Sequence, residues 1–218
     1  MYVPTHFREE RIAVLHAAIR QIGLGALVTL GPEGLIASHL PMVLHATPEP
    51  YGRLCGHMAR NNPQWLAIAP ETETLAIFSG PQAYISPSWY QSKHKTGKVV
   101  PTWNYVAIHA YGKLRVFDDP ERLLAQVTEL TKIHETGRPL AWAVSDAPED
   151  YVQIMLKQII GFELIITRLE GQWKMSQNRS REDRHSAADG LRRETGPAGA
   201  TVADLVTATD QNESNRSE

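Results

Sequence analysis

The order of its strand-like and helix-like segments constrains the fold of this chain more than any other feature. Two apolar segments, residues 25–30 and 35–44, flank a turn at residues 31–34 and predict an antiparallel hairpin. Further strands are predicted at residues 53–58, 74–78, 105–117 and 162–169. Apart from a short helix predicted to start at Asn62, helical segments separate only the last of these strands, so the regular alternation of a parallel α/β sheet is missing. We therefore predict a mainly β, α+β fold: a closed or partly open antiparallel barrel with helices packed outside.

Apolar residues at helical spacing predict where the helices lie. The first helix is predicted over residues 5–22, with Thr5 as its amino-terminal cap. Asp119 followed by Pro120 is typical of a helix start and predicts a second helix there. A third helix is predicted over residues 151–160, directly before the last strand.

Length and composition predict an ordinary globular domain followed by a polar segment. The chain has 218 residues, 42% of them hydrophobic, which suffices to bury a full core. From about Ser176 onward the composition becomes polar. We predict one ligand-binding domain over residues 1–178 and a C-terminal extension over residues 179–218 that is partly helical or disordered.

The charge and the cysteine count exclude several classes of protein. A net charge of −2 gives no global attraction to nucleic acid or to an anionic membrane. No segment has the roughly 20 consecutive apolar residues that a membrane span needs. Cys55 is the only cysteine and cannot form an intrachain disulfide, which fits a reducing compartment. We expect a cytoplasmic protein without a membrane partner.

Motifs for several common cofactors and nucleophiles are missing or misplaced. Residues 23–28 begin like a dinucleotide fingerprint, but valine occupies the sixth position and the segment precedes a strand. The sequence has no phosphate-binding P-loop, and Cys55 has no flanking nucleophile signature. The nine histidines include no pair at tight ligand spacing, so no metal site is predicted.

Two segments rich in aromatic residues and proline, residues 80–90 and 100–105, predict a fixed loop that offers flat rings to a planar ligand. Arg60 and Asn61 lie between a strand end and a helix start at Asn62, where a guanidinium and free N–H groups can meet an anion. Rings, polar donors and a cation are what FMN requires. A solvated role for Arg60 and a dimer-sealing role for the rings stay open as alternatives.

Segments spread over most of the chain carry a family resemblance. They are Met1-Tyr-Val-Pro-Thr-His-Phe7, Ala37-Ser-His-Leu-Pro41, Gly56-His-Met-Ala-Arg-Asn-Asn-Pro-Gln-Trp65, Phe78-Ser-Gly-Pro-Gln-Ala-Tyr-Ile-Ser-Pro-Ser-Trp-Tyr90, Val100-Pro-Thr-Trp-Asn-Tyr105, Ile160-Gly-Phe162 and Gly171-Gln-Trp-Lys-Met-Ser-Gln-Asn178. In this order and spacing the chain resembles the PaiB family of FMN-binding negative transcriptional regulators. The resemblance covers residues 1 to about 178.

The resemblance implies a split β-barrel of the flavin-reductase type in a bacterial protein. It also implies a homodimer with FMN at the subunit interface, and repression of transcription, in bacilli of protease and sporulation genes. The residues that it implies for FMN binding are Ser38, His39 and Leu40 at the ring edge, His57, Met58, Ala59 and Arg60 at the phosphate and ribityl side, and Gln82, Ala83 and Trp103 at the partner-side wall of the ring.

The sequence has no convincing helix-turn-helix segment, so direct DNA binding lacks a visible motif. The basic residues Lys93, His94, Lys95 and Lys98 form a solvated loop, an arm for the flavin phosphate or a nucleic-acid patch. Three hypotheses stay open. The chain is an FMN-sensing regulator, a flavin-dependent oxidoreductase whose catalytic residues the sequence does not identify, or a non-catalytic barrel for haem or another small molecule.

Overall fold

The computed structural model of the chain describes residues 1–68 and 72–214, with side chains as far as residue 209. The strands within these residues are β1 (Arg8–Glu9), β2 (Leu24–Gly31), β3 (Gly34–His45), β4 (Arg53–Ala59), β5 (Glu73–Ile85), β6 (Thr102–Phe117) and β7 (Ile159–Lys174). The helices are α1 (Ile12–Ile22), α2 (Gln91–Thr96), α3 (Pro120–Glu135), α4 (Glu149–Leu156), α5 (Arg181–Glu194) and α6 (Gly196–Ser214). Short 3₁₀ turns occupy Thr5–Phe7, Pro63–Leu66, Pro87–Trp89 and Val144–Asp146.

The strands form one sheet in the order β1-β7-β4-β3-β2-β5-β6, and β7 also pairs with β6. Strands β2 and β3 form the predicted hairpin, with Gly31 opposite Gly34 at the turn. The pairs β2–β5, β3–β4, β4–β7 and β1–β7 are also antiparallel. This strand order, with helices between the later strands, confirms the predicted antiparallel α+β fold of split-barrel type.

The described residues form two compact units. The terminal unit comprises the described residues of Met1–Glu10, Ser79–Ile108 and Glu170–Glu218, and the central unit comprises those of Arg11–Phe78 and His109–Leu169. Strands β5, β6 and β7 contribute residues to both units, whereas each helix belongs to one. Within the described residues, no helix combines the length and the apolar character required to cross a membrane.

Fully buried side chains form the core of the central unit. Leu15 and Ile19 come from α1, Leu54 and Met58 from β4, and Leu123 from α3. Each pair is separated by four residues, which keeps its members on one face of a helix or of a strand. The apolar residues whose spacing predicted these helices and strands are therefore the residues that are buried in the core.

The helix predicted from Thr5 is wrong at its start. The first residues form a 3₁₀ turn, Arg8–Glu9 pairs with β7, and α1 begins only at Ile12. Phe7 is buried at the end of the 3₁₀ turn. Its apolar side chain happens to continue the helical spacing of α1, although a different local structure buries it.

The helix predicted to end at residue 160 is too long. Helix α4 ends at Leu156, and β7 begins at Ile159. Two β-branched residues, Ile159 and Ile160, follow the helix, and such side chains favour a strand over a helix.

In the terminal unit, β5 continues to Ile85, so the loop predicted over residues 80–90 is wrong for its first half. Ala83 and Ile85 are buried while Gln82 and Tyr84 are exposed, which is the two-residue period of a strand with one buried face. The second aromatic segment is likewise part of a strand, because β6 begins at Thr102. The rings of Tyr84, Trp103 and Tyr105 thus lie on strands, whereas Trp89 lies in the 3₁₀ turn after β5.

Helices α5 and α6 pack into the core of the terminal unit. The buried cluster comprises Ala83, Ile85, Trp89, Tyr90, Val106, Met175, Ala187, Ala188, Leu191, Val202, Ala203 and Val206. Gly190 lies against Trp89, since a Cβ at this position would be 2.4 Å from the indole ring. The extension predicted beyond residue 178 is therefore helical over Arg181–Glu194 and Gly196–Ser214, and its last four residues lie outside the described residues. The domain boundary at residue 178 stays a prediction.

Candidate functional site

Strand β4 and the residue after it carry four of the side chains predicted to bind FMN. Met58 is 1% exposed and belongs to the core, whereas Ala59 is exposed. His57 is half-buried, and its Nδ1 lies 2.8 Å from Oε1 of Gln126 on α3. Met58 can therefore offer only backbone atoms to a ligand, while His57 retains a second ring nitrogen.

The guanidinium of Arg60, the fourth of these side chains, is bound to the segment that follows α4. Its Nε donates to the carbonyl oxygen of Lys157 at 2.8 Å, and its Nη2 donates to that of Ile159 at 3.1 Å. Its Nη1 faces the carboxylate of Asp118 at 4.0 Å. Arg60 thus satisfies carbonyl groups just beyond a helix end, so a phosphate can bind only the N–H groups that these bonds leave free.

Arg60 also lines a small pocket of the central unit, together with Asp118, Leu123 and Leu156. The volume of this pocket is about 60 Å³. Small-molecule sites usually measure roughly 300 to 1,000 Å³. The pocket beside Arg60 is therefore too small to enclose a flavin ring.

Asn62 links the turn after β4 to β3. Its Oδ1 accepts a hydrogen bond from the backbone N–H of Gln64 at 3.0 Å, and its Nδ2 donates to Oγ of Ser38 at 2.9 Å. The structure thus brings the predicted residue Ser38 next to the turn that follows β4. Of its neighbours on β3, His39 is exposed and Leu40 is half-buried.

Gln64 is a polar residue that the sequence reasoning missed. Its side chain is fully buried, and its Nε2 lies 2.9 Å from the carbonyl oxygen of Leu27 and 3.1 Å from Oγ1 of Thr29. Its Oε1 has no hydrogen-bond partner in the described part of the chain. Gln64 ties the turn to the β2–β3 hairpin, and its position directly after Pro63 was the available signal.

The residues predicted to form the ring wall lie on β5 and β6 of the terminal unit. Trp103 is 51% exposed, and its ring meets that of Tyr84 edge to face, with centroids 6.3 Å apart. Gln82 is exposed on the same face of β5 as Tyr84. Ala83 lies on the opposite face and belongs to the buried cluster. We call the three outward side chains of Gln82, Tyr84 and Trp103 the ring face.

Lys174, at the end of β7, is a second residue that the sequence reasoning did not single out. Its Nζ donates to Oγ1 of Thr102 at 2.6 Å and lies 6.0 Å from the ring centroid of Tyr105. Partial burial of the amine lowers the pKa of Lys174 below its ordinary value. Its place in the motif at residues 171–178 was the signal that could have identified it.

The predicted basic run lies on and just after α2. Lys95 forms an ion pair with Glu182 at 2.9 Å, and the hydrogen bond to this carboxylate raises the pKa of Lys95. Lys93 donates to Oγ of Ser88 at 3.3 Å. These exposed side chains are typical of a solvated segment. Across residues 1–68 and 72–214, no three His, Cys, Asp or Glu side chains are grouped as a metal ion would require.

Comparison with known sequences identifies the family. The family described as "Putative FMN-binding domain" matches residues 1–168, which is most of the chain. The chain belongs to this FMN-binding family. Its membership confirms the prediction of FMN as the cofactor.

Two relatives align with this FMN-binding chain over nearly its whole length. Protease synthase and sporulation protein PAI 2 of Bacillus subtilis is 31% identical over 208 residues, which cover 94% of this chain and 96% of that protein. An uncharacterized protein of Emericella nidulans is 36% identical over 241 residues, which cover 94% of this chain and 96% of that protein. The first relative confirms the resemblance to PaiB. Because the second is fungal, the bacterial origin stays a prediction.

Solved structures with related folds include flavin-binding proteins. A conserved hypothetical protein of Mycobacterium tuberculosis has a TM-score of 0.58 and 10% identity, over 83% of this chain and 94% of that one. The flavocytochrome Anf3 of Azotobacter vinelandii has a TM-score of 0.56 and 9% identity, over 79% of this chain and 72% of that one. At such low identity these likenesses establish the fold alone.

Proposed function

We propose that this FMN-binding chain acts as a cytoplasmic homodimer and as a negative regulator of transcription. The observation that carries the dimer is the ring face, because two large aromatic side chains, Tyr84 at 47% and Trp103 at 51% exposure, lie together on an outward strand surface. Aromatic side chains are enriched in the cores of protein interfaces. A flavin ring and a second subunit would remove both rings from water.

The residues proposed to hold FMN fall into two sets, one on each unit. On the central unit these are Ser38, His39 and Leu40 for the ring edge and His57, Met58, Ala59 and Arg60 for the ribityl chain and phosphate. The side chains of Gln82 and Trp103 of the partner subunit would cover the ring, and Ala83 of the partner subunit, whose side chain is buried, could contribute only its backbone. FMN, when bound, supplies a ring that accepts and returns electrons.

One observation supports the fit of the central set to a flavin. Gln126 is 6% exposed, and its Nε2 donor has no partner in the described residues, directly behind His57. A buried unpaired donor is costly, so its presence calls for an explanation such as a functional role or a bound group that accepts the hydrogen bond. FMN offers several acceptor oxygens to such a polar neighbourhood.

The regulatory part of the proposal draws on the Bacillus relative, which is named for protease synthesis and sporulation. We propose that residues 1–178 form the FMN-binding domain and that the extension supports its ring face from behind. DNA contact, if direct, would use exposed basic side chains such as Lys93, His94 and Lys98 without a helix-turn-helix.

Absorption spectroscopy and gel filtration of the purified protein with FMN test this proposal first. A flavin spectrum that elutes with a particle of twice the chain mass supports the dimeric site, whereas elution as a monomer contradicts it. Salt-dependent, sequence-selective DNA binding would then support the regulator. Turnover of a nicotinamide donor without DNA binding would replace the regulator with an oxidoreductase, and a haem spectrum without flavin would favour the small-molecule barrel.

A further inference from the structure

The contact between His57 and Gln126 assigns a hydrogen atom within the proposed flavin site. His57 is half-buried on β4, and Gln126 is buried on α3, which packs against that strand. The distance of 2.8 Å between Nδ1 of the imidazole and Oε1 of the amide is that of a hydrogen bond. An amide oxygen only accepts, so with Oε1 of Gln126 facing the ring, Nδ1 carries the hydrogen.

This assignment determines what the other side of the imidazole can do. A neutral imidazole with hydrogen on Nδ1 has a lone pair on Nε2 and acts there as an acceptor. In the part of the chain that the structure describes, no side chain or backbone group bonds to the Nε2 of His57. His57 therefore presents an unused acceptor and not a donor.

The parts of FMN differ in what they offer to an acceptor. The ribityl chain carries hydroxyl groups, which can donate a hydrogen bond, whereas the phosphate oxygens at neutral pH mainly accept. An imidazole lone pair directed at a phosphate would oppose binding. The tautomer of His57 thus distinguishes binding of the ribityl chain from binding of the phosphate, which the sequence analysis did not separate.

We propose that Gln126 is a positioning residue that holds His57 with hydrogen on Nδ1, so that His57 accepts a hydrogen bond from a ribityl hydroxyl and does not bind the phosphate. The proposal rests on the proposed function, because it requires His57 to reach the flavin.

Nitrogen NMR of protein labelled at histidine tests the tautomer without any ligand. We expect the His57 signals of the wild type to show hydrogen on Nδ1 and a bare Nε2. The variant Gln126→Met, which keeps the length of the side chain but removes the acceptor, should shift His57 toward hydrogen on Nε2. Gln126→Glu restores an acceptor, and at alkaline pH it should restore hydrogen on Nδ1; the pH is raised because a carboxylate at this position also favours the doubly protonated ring. Hydrogen on Nε2 in the wild type would overturn the proposal.

Binding of FMN and of riboflavin, which lacks the phosphate, tests the ligand role. His57→Phe should weaken both flavins equally, by up to about tenfold in Kd, the value of one hydrogen bond. Gln126→Met should weaken both flavins by less, and Gln126→Glu at the same alkaline pH should recover part of that loss. A matched control is Gln21→Met, which changes an exposed glutamine on α1 and should alter neither the tautomer nor the affinity.

Two results would contradict the ligand role. A loss confined to FMN would place His57 at the phosphate, and equal losses in Gln126→Met and Gln126→Glu would reduce Gln126 to a packing role. Circular dichroism identifies a variant that fails to fold, and the NMR arm on the wild type then still decides the tautomer. If the wild type binds neither flavin, the proposed function fails together with the ligand role, while the tautomer assignment is judged separately.

Discussion

In the central unit, the side chains proposed to meet FMN are already bonded to the protein, whereas the ring face of the terminal unit is exposed. Arg60 binds two carbonyl groups beyond α4, and His57 binds Gln126. Trp103, by contrast, makes an edge-to-face contact with Tyr84 and leaves half of its surface to water. Substitutions in the central set should therefore change stability and binding together, while substitutions on the ring face should separate them.

The largest effect should come from behind the ring face, where Leu191 is fully buried in the cluster that contains Ala83 and Ile85. We expect Leu191→Ala to reduce the free energy of unfolding by about 2 to 5 kcal/mol, because it removes packed methyl groups from a core. Chemical denaturation measures this loss. If Leu191→Ala were as stable as the wild type, the helices of the extension would not support the ring face. The control is Val116→Ala, which changes an exposed position on β6.

Arg60→Ala should show the mixed behaviour of the central set. We expect a loss of about 1 to 3 kcal/mol in stability, since two charged hydrogen bonds to carbonyl groups disappear from a partly exposed side chain. FMN affinity should fall as well. Arg53→Ala, at the other end of β4, removes an exposed bond to the carbonyl oxygen of Thr47 and a hydrogen bond to the Cys55 thiol, and it serves as the control. Unchanged affinity with lowered stability would leave Arg60 a purely structural role.

Trp103→Ala should show the opposite behaviour. We expect FMN to bind about three- to tenfold more weakly, the value of one aromatic contact, while the midpoint of thermal unfolding barely changes. Titration of FMN followed by fluorescence measures the affinity. Trp142→Ala changes an equally exposed tryptophan, 49% exposed on the central unit, and should leave binding intact. Equal losses in the two variants would contradict the ring face as the flavin wall.

The smallest effect concerns Lys174, whose pKa is lowered by partial burial. The amine of Lys174 binds its proton more tightly in the unfolded chain than in the folded protein. The charged lysine therefore destabilises the fold at every pH below its lowered pKa. This destabilisation disappears as the pH rises from the lowered pKa to the ordinary pKa of 10.5. We expect the stability difference between Lys174→Met and the wild type to shift in favour of the wild type over this window. Denaturation of both proteins between pH 8 and pH 11 measures it, and a difference independent of pH would contradict the assignment.

The sequence predicted the hairpin, the later strands and the helix at Pro120, because their burial follows simple periods. It did not predict that residues 80–85 are a strand, since proline and rings obscured the alternation of Ala83 and Ile85 with their exposed neighbours. It assigned Arg60 to a phosphate from its place before a helix start. The structure shows that Arg60 instead bonds to the carbonyl groups of Lys157 and Ile159. These residues lie almost 100 positions away in the sequence, and no local pattern predicts such a pairing.

The polar composition beyond residue 178 also concealed a packed region. A few small apolar residues on α5 and α6 suffice for burial, because Gly190 allows the helix backbone to approach Trp89. Average composition counts the many exposed charges of these helices and not the narrow stripe that faces the core. The extension therefore resembled a disordered tail although its stripe is buried.

Two of the five tryptophans, Trp89 in the buried cluster and Trp103 on the ring face, can serve as optical reporters in a variant that lacks Trp65, Trp142 and Trp173. Trp89 lies in a dry environment against α5, so its emission should be short in wavelength and should respond to detachment of the terminal helices. Trp103 is half in water, so its emission should be long in wavelength and should be quenched by a flavin stacked nearby. In that variant, a single emission spectrum follows cofactor occupancy and the packing of the C-terminal helices in the same sample.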